Sequence, residues 1–467
     1  MDLRNKRVVV IGFGRSGQAA TRLLLVKGAQ VIVSESRGRN ELPPSYVSSM
    51  EVSGVEFETG GHRRESLEKA DLVVVSPGVP FKVYQPAIEK GIPVIGELEL
   101  AYMCLAPKDR EKIISLTGTN GKTTTTAMIS ELMRYSGYKV FTGGNYGIPL
   151  SELVLSGDKV DRIVLEISSF QLETIKSFSS KVSLLLNITP DHLERYASLE
   201  EYAYYKYKIF ENQNKEDYAL LPWGEPFFER FKSMVKGEIF YFAEEPKDEV
   251  TAYYNKESEE IVLKLGGKEE TYSLYKFKLL GLHNKINLLC ALLAGRLMGA
   301  RREACFKLIE EFRGFPHRLE FVGTFGGITF INDSKATNVD ATLQALKGLP
   351  GSIILILGGR HKGASYTPLI PLIQEKVRVL ILMGEARSVL QEELSGLVET
   401  YLAEDMIQAL GIVFQVARAG DIVLLSPACS SYDQFRDYQE RGDVFKDLVI
   451  EYAPKYLGSF NTKEIYH

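Results

Sequence analysis

Residues Lys112–Thr126 read KIISLTGTNGKTTTT. A β-branched run, KIISL, leads through Thr117, Gly118, Thr119, Asn120, Gly121, Lys122 and Thr123 into a helical pattern that continues through AMISELMRYSG. Glycines let successive backbone N–H groups turn toward an anion, the helix N-terminus adds positive potential, and a lysine neutralises outer phosphates. A hydroxyl directly after the lysine suits a Mg²⁺ position, with Thr124 next along the turn. The pattern is not the full G-x-x-x-x-G-K-[ST], because Leu116 stands where its first glycine would be and Gly118 opens a shorter loop. The blander alternative is a tight strand-to-helix turn with an incidental lysine. Strand, loop and helix together favour the phosphate reading, and with it an α/β domain built on a parallel sheet.

A nucleoside triphosphate site also needs metal ligands, and the candidates close strands on either side of this loop. Glu166 ends the run IVLE, and His192 follows LLLNITPD. A lone strand-end carboxylate is more often a cap or ion-pair partner, and a lone histidine is usually structural. Beside a phosphate loop, at carboxyl ends of strands, both become ligand candidates.

The same alternation of short β-rich runs and longer helical patterns extends in both directions. Upstream it gives RVVVIG, QVIVSE, VEFETG, DLVVVSPG and PVIGE, then a polar break at Ala106–Arg110. Downstream come a polar, strand-like insert at about 223–278, a buried-helix pattern HNKINLLCALLAGRLMG, a break near Phe312–Pro316, and the core strands ITFINDS, SIILILGG, RVLILMG and DIVLLSP. The expectation is three α/β domains: a Rossmann-like domain over 1–106, a central P-loop ATPase domain with a parallel sheet over 107–313, and a Rossmann-like domain over 314–467. The opening run VVVIGFGRSGQ carries G-x-G-x-x-G, and Glu35 follows the next strand at the distance of a ribose-binding acid. On its own that reads as an NAD site.

Bulk properties narrow the class. The 467 residues are 45% apolar and 25% charged, as in soluble globular proteins, and the length implies several domains. A net charge of −4 argues against nucleic acid as the main partner. No run approaches the roughly 18 to 20 apolar residues of a membrane span, and charge passes straight into a strand at the start, so a cytoplasmic protein is expected. Four scattered cysteines fit buried thiols in a reducing compartment.

Eight motifs then occur in order: TGTNGKTTT, GGNYGIP, LEISSFQLE, NITPDHLERY, GLHNKINLL, PHRLE, INDSKATN and SPACSSYDQF. Together they resemble the Mur ligases of peptidoglycan synthesis over most of the chain. Folylpolyglutamate synthase shares the phosphate loop but is not expected to share the last two runs. SSFQLE, NDSKATN, SPACSSYDQF and GFGRSG point within the family to the addition of D-glutamate. The resemblance implies ATP, UDP-N-acetylmuramoyl-L-alanine and D-glutamate as substrates, an acyl phosphate and tetrahedral intermediate, and release of ADP and phosphate. It implies two Mg²⁺ sites, with Lys122 on the β and γ phosphates, Thr123 and Glu166 on one metal, and His192 on the second. Lys206 matches the lysine that the family carbamylates with CO₂ in support of Mg²⁺; from sequence alone it is an ordinary cation. Asn145 matches a contact to the reacting region, and Asn284, Asn287, Arg318 and Asp333 match contacts to adenine, ribose or phosphate. Lys335 lies in a loop that returns to the nucleotide when the third domain closes.

For the amino acid, Thr337, Lys362, Ser431 and Tyr438 match family contacts, with His192 nearby. Tyr432 stands where a leucine is expected and Tyr438 where a phenylalanine is expected. The opening glycine loop becomes a sugar-nucleotide handle on this reading. Gly14, Arg15, Ser16 and Gly17 face a substrate pyrophosphate, Ser36 and Arg37 meet the uridine end, and Ser76 with Gly78 completes the wall. A monomer is expected. The rivals are an NAD-dependent oxidoreductase, a nucleotide switch or motor ATPase, and a sister ligase for another amino acid.

Overall fold

Three β-sheets organise the chain. The computed structural model describes residues 2–192, 195–279, 281–361, 363 and 365–457. The first sheet holds β1 (Arg7–Ile11), β2 (Gln30–Glu35), β3 (Glu56–Thr59), β4 (Leu72–Val75) and β5 (Val94–Gly96), all parallel in the order β3-β2-β1-β4-β5. Val8, Val9, Val10 and Ile11 are fully buried, as expected of a strand covered by helices on both faces. Strand order reverses between β1 and β4, so the loops after these two strands splay apart and open a crevice.

The second sheet has nine strands: β6 (Ile113–Thr117), β7 (Val140–Gly144), β8 (Arg162–Glu166), β9 (Val182–Leu185), β10 (Tyr218–Pro222), β11 (Glu238–Ala243), β12 (Ala252–Asn255), β13 (Glu260–Leu265) and β14 (Lys268–Ser273). Their order is β14-β13-β12-β11-β10-β9-β6-β8-β7. Pairing is parallel from β7 to β12 and antiparallel across β12-β13-β14. The segment at 223–278 is strand-forming as expected, but it is no insert. It supplies four strands of the sheet's own edge, and its alternating polarity reflects edge strands with one wet face.

The third sheet holds β15 (Glu320–Phe325), β16 (Ile328–Asn332), β17 (Ile353–Gly358), β18 (Val377–Met383), β19 (Glu399–Ala403) and β20 (Ile422–Leu425) in the order β15-β16-β20-β17-β18-β19. Only β15 runs antiparallel. By compactness the first two sheets share one unit, 1–277 with 285–311, and the third belongs to a second unit, 278–284 with 312–467. The break at Ala106–Arg110 is a one-turn helix, Pro107–Arg110, inside the first unit.

Buried carboxylates tie the first two sheets together. On the helix Glu97–Cys104, Glu97 accepts from the Ser151 amide at 2.7 Å. Glu99, fully buried, accepts from the amides of Lys176, Ser177 and Phe178 at 2.9, 2.9 and 3.0 Å. Arg22 pairs with Glu152 across the same contact. Among the described residues no helix is long and apolar enough to cross a membrane.

Candidate active site

The phosphate loop leaves β6, the strand flanked by β8 and β9, and enters the helix Lys122–Tyr135. Gly121 caps that helix at φ +82°, where a Cβ would lie 2.3 Å from Asn287 Oδ1, so the position needs glycine both for its backbone and for its space. Gly118, at φ +156°, lies against Leu186 and Asn187. Asn187 holds the loop from the side: its Oδ1 accepts from the Asn120 amide at 2.9 Å, its Nδ2 donates to the Asn120 carbonyl at 3.1 Å, and its carbonyl accepts from the Thr119 amide at 3.0 Å. Sequence reading passed over Asn187, although it opens the NITPDH run.

Lys122 Nζ donates to the carbonyls of Gly118 and Thr119, both at 2.8 Å. Lys206 Nζ donates to the same Gly118 carbonyl at 2.8 Å and lies 4.4 Å from the Tyr202 ring centre. Lys206 is 1% exposed; burial first, and the Lys122 charge second, push its ammonium well below the ordinary lysine range. Lys206 is thus no ordinary surface cation but a buried side chain whose charged form is disfavoured.

Asn145 and Glu166 form the facing wall. Asn145 Nδ2 donates to Glu166 Oε1 at 2.7 Å, and its amide donates to the Glu166 carbonyl at 2.8 Å. Glu166 is 2% exposed, and its Oε2 is buried with no hydrogen-bond partner. The buried hydroxyls of Thr117 and Thr125 also lack partners. A carboxylate oxygen left bare beside a lysine-bearing phosphate loop fits a divalent cation better than a structural role, since an unmet buried charge is costly. No group of three or more His, Cys, Asp or Glu side chains that could hold a metal occurs among the described residues. The donor set here is therefore one carboxylate, the Thr123 and Thr124 turn, and whatever oxygens a bound phosphate and water bring, which suits Mg²⁺. His192 lies on the turn after β9 at φ +53°, its amide on Asp191 Oδ1 at 3.0 Å and its ring 4.8 Å from that of Phe170.

In the first sheet, the loops after β1 and β4 meet at the switch point. Ser76 Oγ donates to the Gly12 carbonyl at 3.1 Å. A Cβ on Gly17 would lie 1.9 Å from that same carbonyl, so Gly17 lets the helix Arg15–Val26 sit close to β1. Gly14, the N-cap, has no atom within 4 Å of an added Cβ, so the space beside it is open. Gly78 is exposed on the opposite lip. Glu35 is not free to hold a ribose. Its Oε2 accepts from the Phe13 amide at 2.8 Å and from Arg37 at 3.0 Å, and its Oε1 accepts from the Arg37 amide and the Ser36 hydroxyl. Burial raises this carboxyl, but the Arg37 and Phe13 donors outweigh it and hold it at about 2. Ser36 and Arg37 are thereby fixed at the end of β2.

In the second unit, Asp333 follows β16, accepting from the Ser426 hydroxyl at 2.8 Å and the Leu319 amide at 3.2 Å. Its burial lifts it to about 7. Arg318 and Lys335 are exposed, Thr337 is half-buried, and Lys335 Nζ lies 5.7 Å from the Tyr438 ring centre. Ser431 is buried, whereas Tyr432 is 63% exposed. Asn284 also belongs to this unit. Lys362 lies outside the described residues. The second residue that sequence reading missed is Arg441, 1% exposed. Its guanidinium donates to the carbonyls of Ser334 at 2.9 Å and Cys429 at 3.1 Å and to the Ser334 hydroxyl at 2.9 Å, joining the loops after β16 and β20. Burial lowers it to about 10.

Fold and site together define a nucleotide-binding α/β protein with a second glycine-rich loop on a separate Rossmann-like sheet. Family models cover three stretches in order: the Mur ligase MurD-like N-terminal domain over residues 6–96, the Mur ligase middle domain over 116–295, and the Mur ligase glutamate ligase domain over 317–429. The chain belongs to the Mur ligase family. It is 41% identical to a UDP-N-acetylmuramoylalanine–D-glutamate ligase of Geotalea uraniireducens, covering 96% of this chain and 98% of the relative. It is 40% identical to the enzyme of that name from Pelotomaculum thermopropionicum, covering 96% and 98%. Among solved structures, the MurF ligase of Thermotoga maritima in complex with ADP matches with a TM-score of 0.57 at 16% identity, covering 96% of each chain. The MurC ligase of Thermotoga maritima matches with a TM-score of 0.52 at 20% identity, covering 95% of this chain and 99% of that one. These two likenesses speak for the fold.

Proposed function

We propose that this chain is an ATP-dependent amide ligase that joins D-glutamate to UDP-N-acetylmuramoyl-L-alanine in peptidoglycan precursor synthesis. The observation that carries the chemistry is the buried Glu166 Oε2, unbonded beside the lysine-bearing phosphate loop. The choice of D-glutamate is supported by relatives at about 40% identity that carry that activity in their names.

The γ-phosphoryl group of ATP passes to the substrate carboxylate, giving an acyl phosphate and ADP. The D-glutamate amine adds to that carbonyl carbon, and the tetrahedral intermediate collapses to an amide, phosphate and a proton. All partners but the amine are anionic, so the work is alignment and charge neutralisation. The amides of Gly121 to Thr124, at the start of the helix, cradle phosphate oxygens, and Lys122 moves from the Gly118 and Thr119 carbonyls onto the outer phosphates. Asn145 orients Glu166 and borders the reacting carboxylate. Thr123 and Glu166 would hold one Mg²⁺ and His192 would help to hold a second, and ions bound there would supply neutralisation of the charge on the transferred group. The buried amine of Lys206 suits CO₂ addition: nitrogen bonds to carbon, a proton leaves, and the cation becomes a carboxylate-like oxygen donor aimed at the metal region. Gly14 to Gly17, with Ser36, Arg37, Ser76 and Gly78, hold the uridine diphosphate. Asn287 lines the phosphate loop, and Asn284, Arg318, Asp333 and Lys335 attend the nucleotide. Thr337, Lys362, Ser431, Tyr432 and Tyr438 receive D-glutamate. The domain boundaries at 106/107 and 313/314, a monomeric state and a cytoplasmic location belong to the same reading.

The NAD alternative loses its acid, because Glu35 is occupied by Phe13 and Arg37. A phosphate-release assay tests the proposal. Release is expected only when Mg-ATP, UDP-N-acetylmuramoyl-L-alanine and D-glutamate are all present, with L-glutamate and other amino acids inactive. Hydrolysis indifferent to both acceptors would overturn it in favour of a nucleotide switch.

A further inference from the structure

Two of the motifs close on residues that the ligase reading leaves without a role: Glu173 ends LEISSFQLE, and Arg195 with Tyr196 ends NITPDHLERY. The fold pairs them with each other. Arg195 Nε and Nη2 lie 2.8 and 2.5 Å from the two oxygens of Glu173, a bidentate pair, and the Tyr196 hydroxyl donates to Glu173 Oε1 at 2.7 Å. Side-chain exposure is 19% for Arg195 and 10% for Glu173, so the pair is sheltered from solvent screening.

This pair reaches two loops at once. Arg195 Nη1 donates to the Gly78 carbonyl and Nη2 to the Val79 carbonyl, both at 3.2 Å, on the loop after β4. Its guanidinium lies 4.8 Å from the Phe170 ring centre, and that ring neighbours the His192 ring. The amides of Arg195 and Tyr196 donate to the His192 carbonyl at 3.0 and 3.1 Å, closing the turn on which His192 sits at positive φ. Ser76, Gly78, Val79, Phe170, Glu173 and Arg195 line one shallow cleft between the two sheets.

We propose that Arg195, held in its rotamer by Glu173, is a positioning residue that fixes the sugar-nucleotide loop at Gly78–Val79 relative to the His192 turn. An arginine suits the task because its planar fork serves a carboxylate on one edge and two carbonyls on the other, which a lysine cannot do. The inference rests on the reading that the Gly78 loop holds the uridine diphosphate and that His192 borders the reacting group.

The test uses the full chain as Glu173→Gln, Arg195→Lys and the double variant. Calorimetry measures affinity for UDP-N-acetylmuramoyl-L-alanine without ATP or D-glutamate, and steady-state assays measure the KM for ATP. Each single variant is expected to weaken the sugar nucleotide about tenfold (about 1.4 kcal/mol). The KM for ATP stays within about twofold, and the double variant is no worse than the weaker single, because the pair acts as one unit. A lowered melting temperature with unchanged sugar-nucleotide affinity overturns the proposal and makes the pair purely structural. Additive losses also overturn it. Should Glu173→Gln fail to fold, Arg195→Lys, which keeps the charge, carries the same two readouts. Binding by the wild type with unaltered variants refutes the clamp alone, whereas a wild type that does not bind the sugar nucleotide refutes the substrate reading and the clamp with it.

Discussion

Burial has moved two ionisable side chains away from their ordinary ranges, in opposite directions but each against its charged form. Lys206 is depressed and Asp333 is raised, each chiefly by loss of water. For Asp333 the consequence for stability has a definite sign. Its folded value of about 7 lies above the 3.8 of an ordinary aspartate. Its contribution is therefore fully present below about pH 4 and is lost as pH rises through 7, at about 1.4 kcal/mol for each unit of separation. Asp333→Asn removes that titration. The stability of the wild type relative to this variant should fall by a few kcal/mol between pH 4.5 and 8, read from melting curves of both proteins across that range. Parallel curves would mean that Asp333 is already ionised in the fold. At this scale Lys122, Glu166 and the glycines were legible in the sequence because a strand-loop-helix unit dictates where they point. Asn187 and Arg441 were not, because an amide side chain or a buried guanidinium that serves loops distant in sequence leaves no local pattern.

The five strands of the first sheet and the core strands of the third were readable as β-branched runs bounded by turn residues. Their parallel pairing followed from the intervening helices. The β11–β14 edge was readable as strand-like but not as part of the central sheet, because its half-exposed strands alternate like a surface hairpin and nothing local says that they extend an existing sheet. The glycine loop after β1 illustrates how one motif combines two separable demands. Gly17 serves packing: an added methyl would meet the Gly12 carbonyl at 1.9 Å. Gly14 serves access: an added methyl meets nothing within 4 Å inside the protein. Gly17→Ala should therefore destabilise the chain by about 1–3 kcal/mol through overpacking of helix against strand. Gly14→Ala should leave the melting temperature within a degree or two, yet weaken UDP-N-acetylmuramoyl-L-alanine binding where the pyrophosphate approaches. Thermal denaturation beside calorimetric titration separates the two effects. A Gly14→Ala variant that melts early but binds normally would reverse the assignment.

Across the whole molecule, three sheets resolve into two compact units because of what joins the first to the second. Three expected domains were legible from the alternation of strands and helices, but their grouping was not, since the contacts responsible come from residues some 80 positions apart. Glu99 is the centre of that junction. Fully buried, it collects the amides of Lys176, Ser177 and Phe178, so one side chain of the first sheet's last helix satisfies three backbone donors ahead of β9. Removing it leaves those donors without their acceptor, at about 1–3 kcal/mol for each one that stays dry. In a chain of several domains, unfolding need not be one transition. Scanning calorimetry of the wild type should give one transition for residues 1–277 with 285–311 and another for the remainder. Glu99→Ala should lower the first by several degrees and broaden or split it, while the second stays in place. If, as proposed, UDP-N-acetylmuramoyl-L-alanine binds the glycine loops of the first sheet, it should raise the first transition selectively in the wild type. If Glu99→Ala shifted both transitions equally, or neither, the carboxylate would not be what makes the first two sheets melt together.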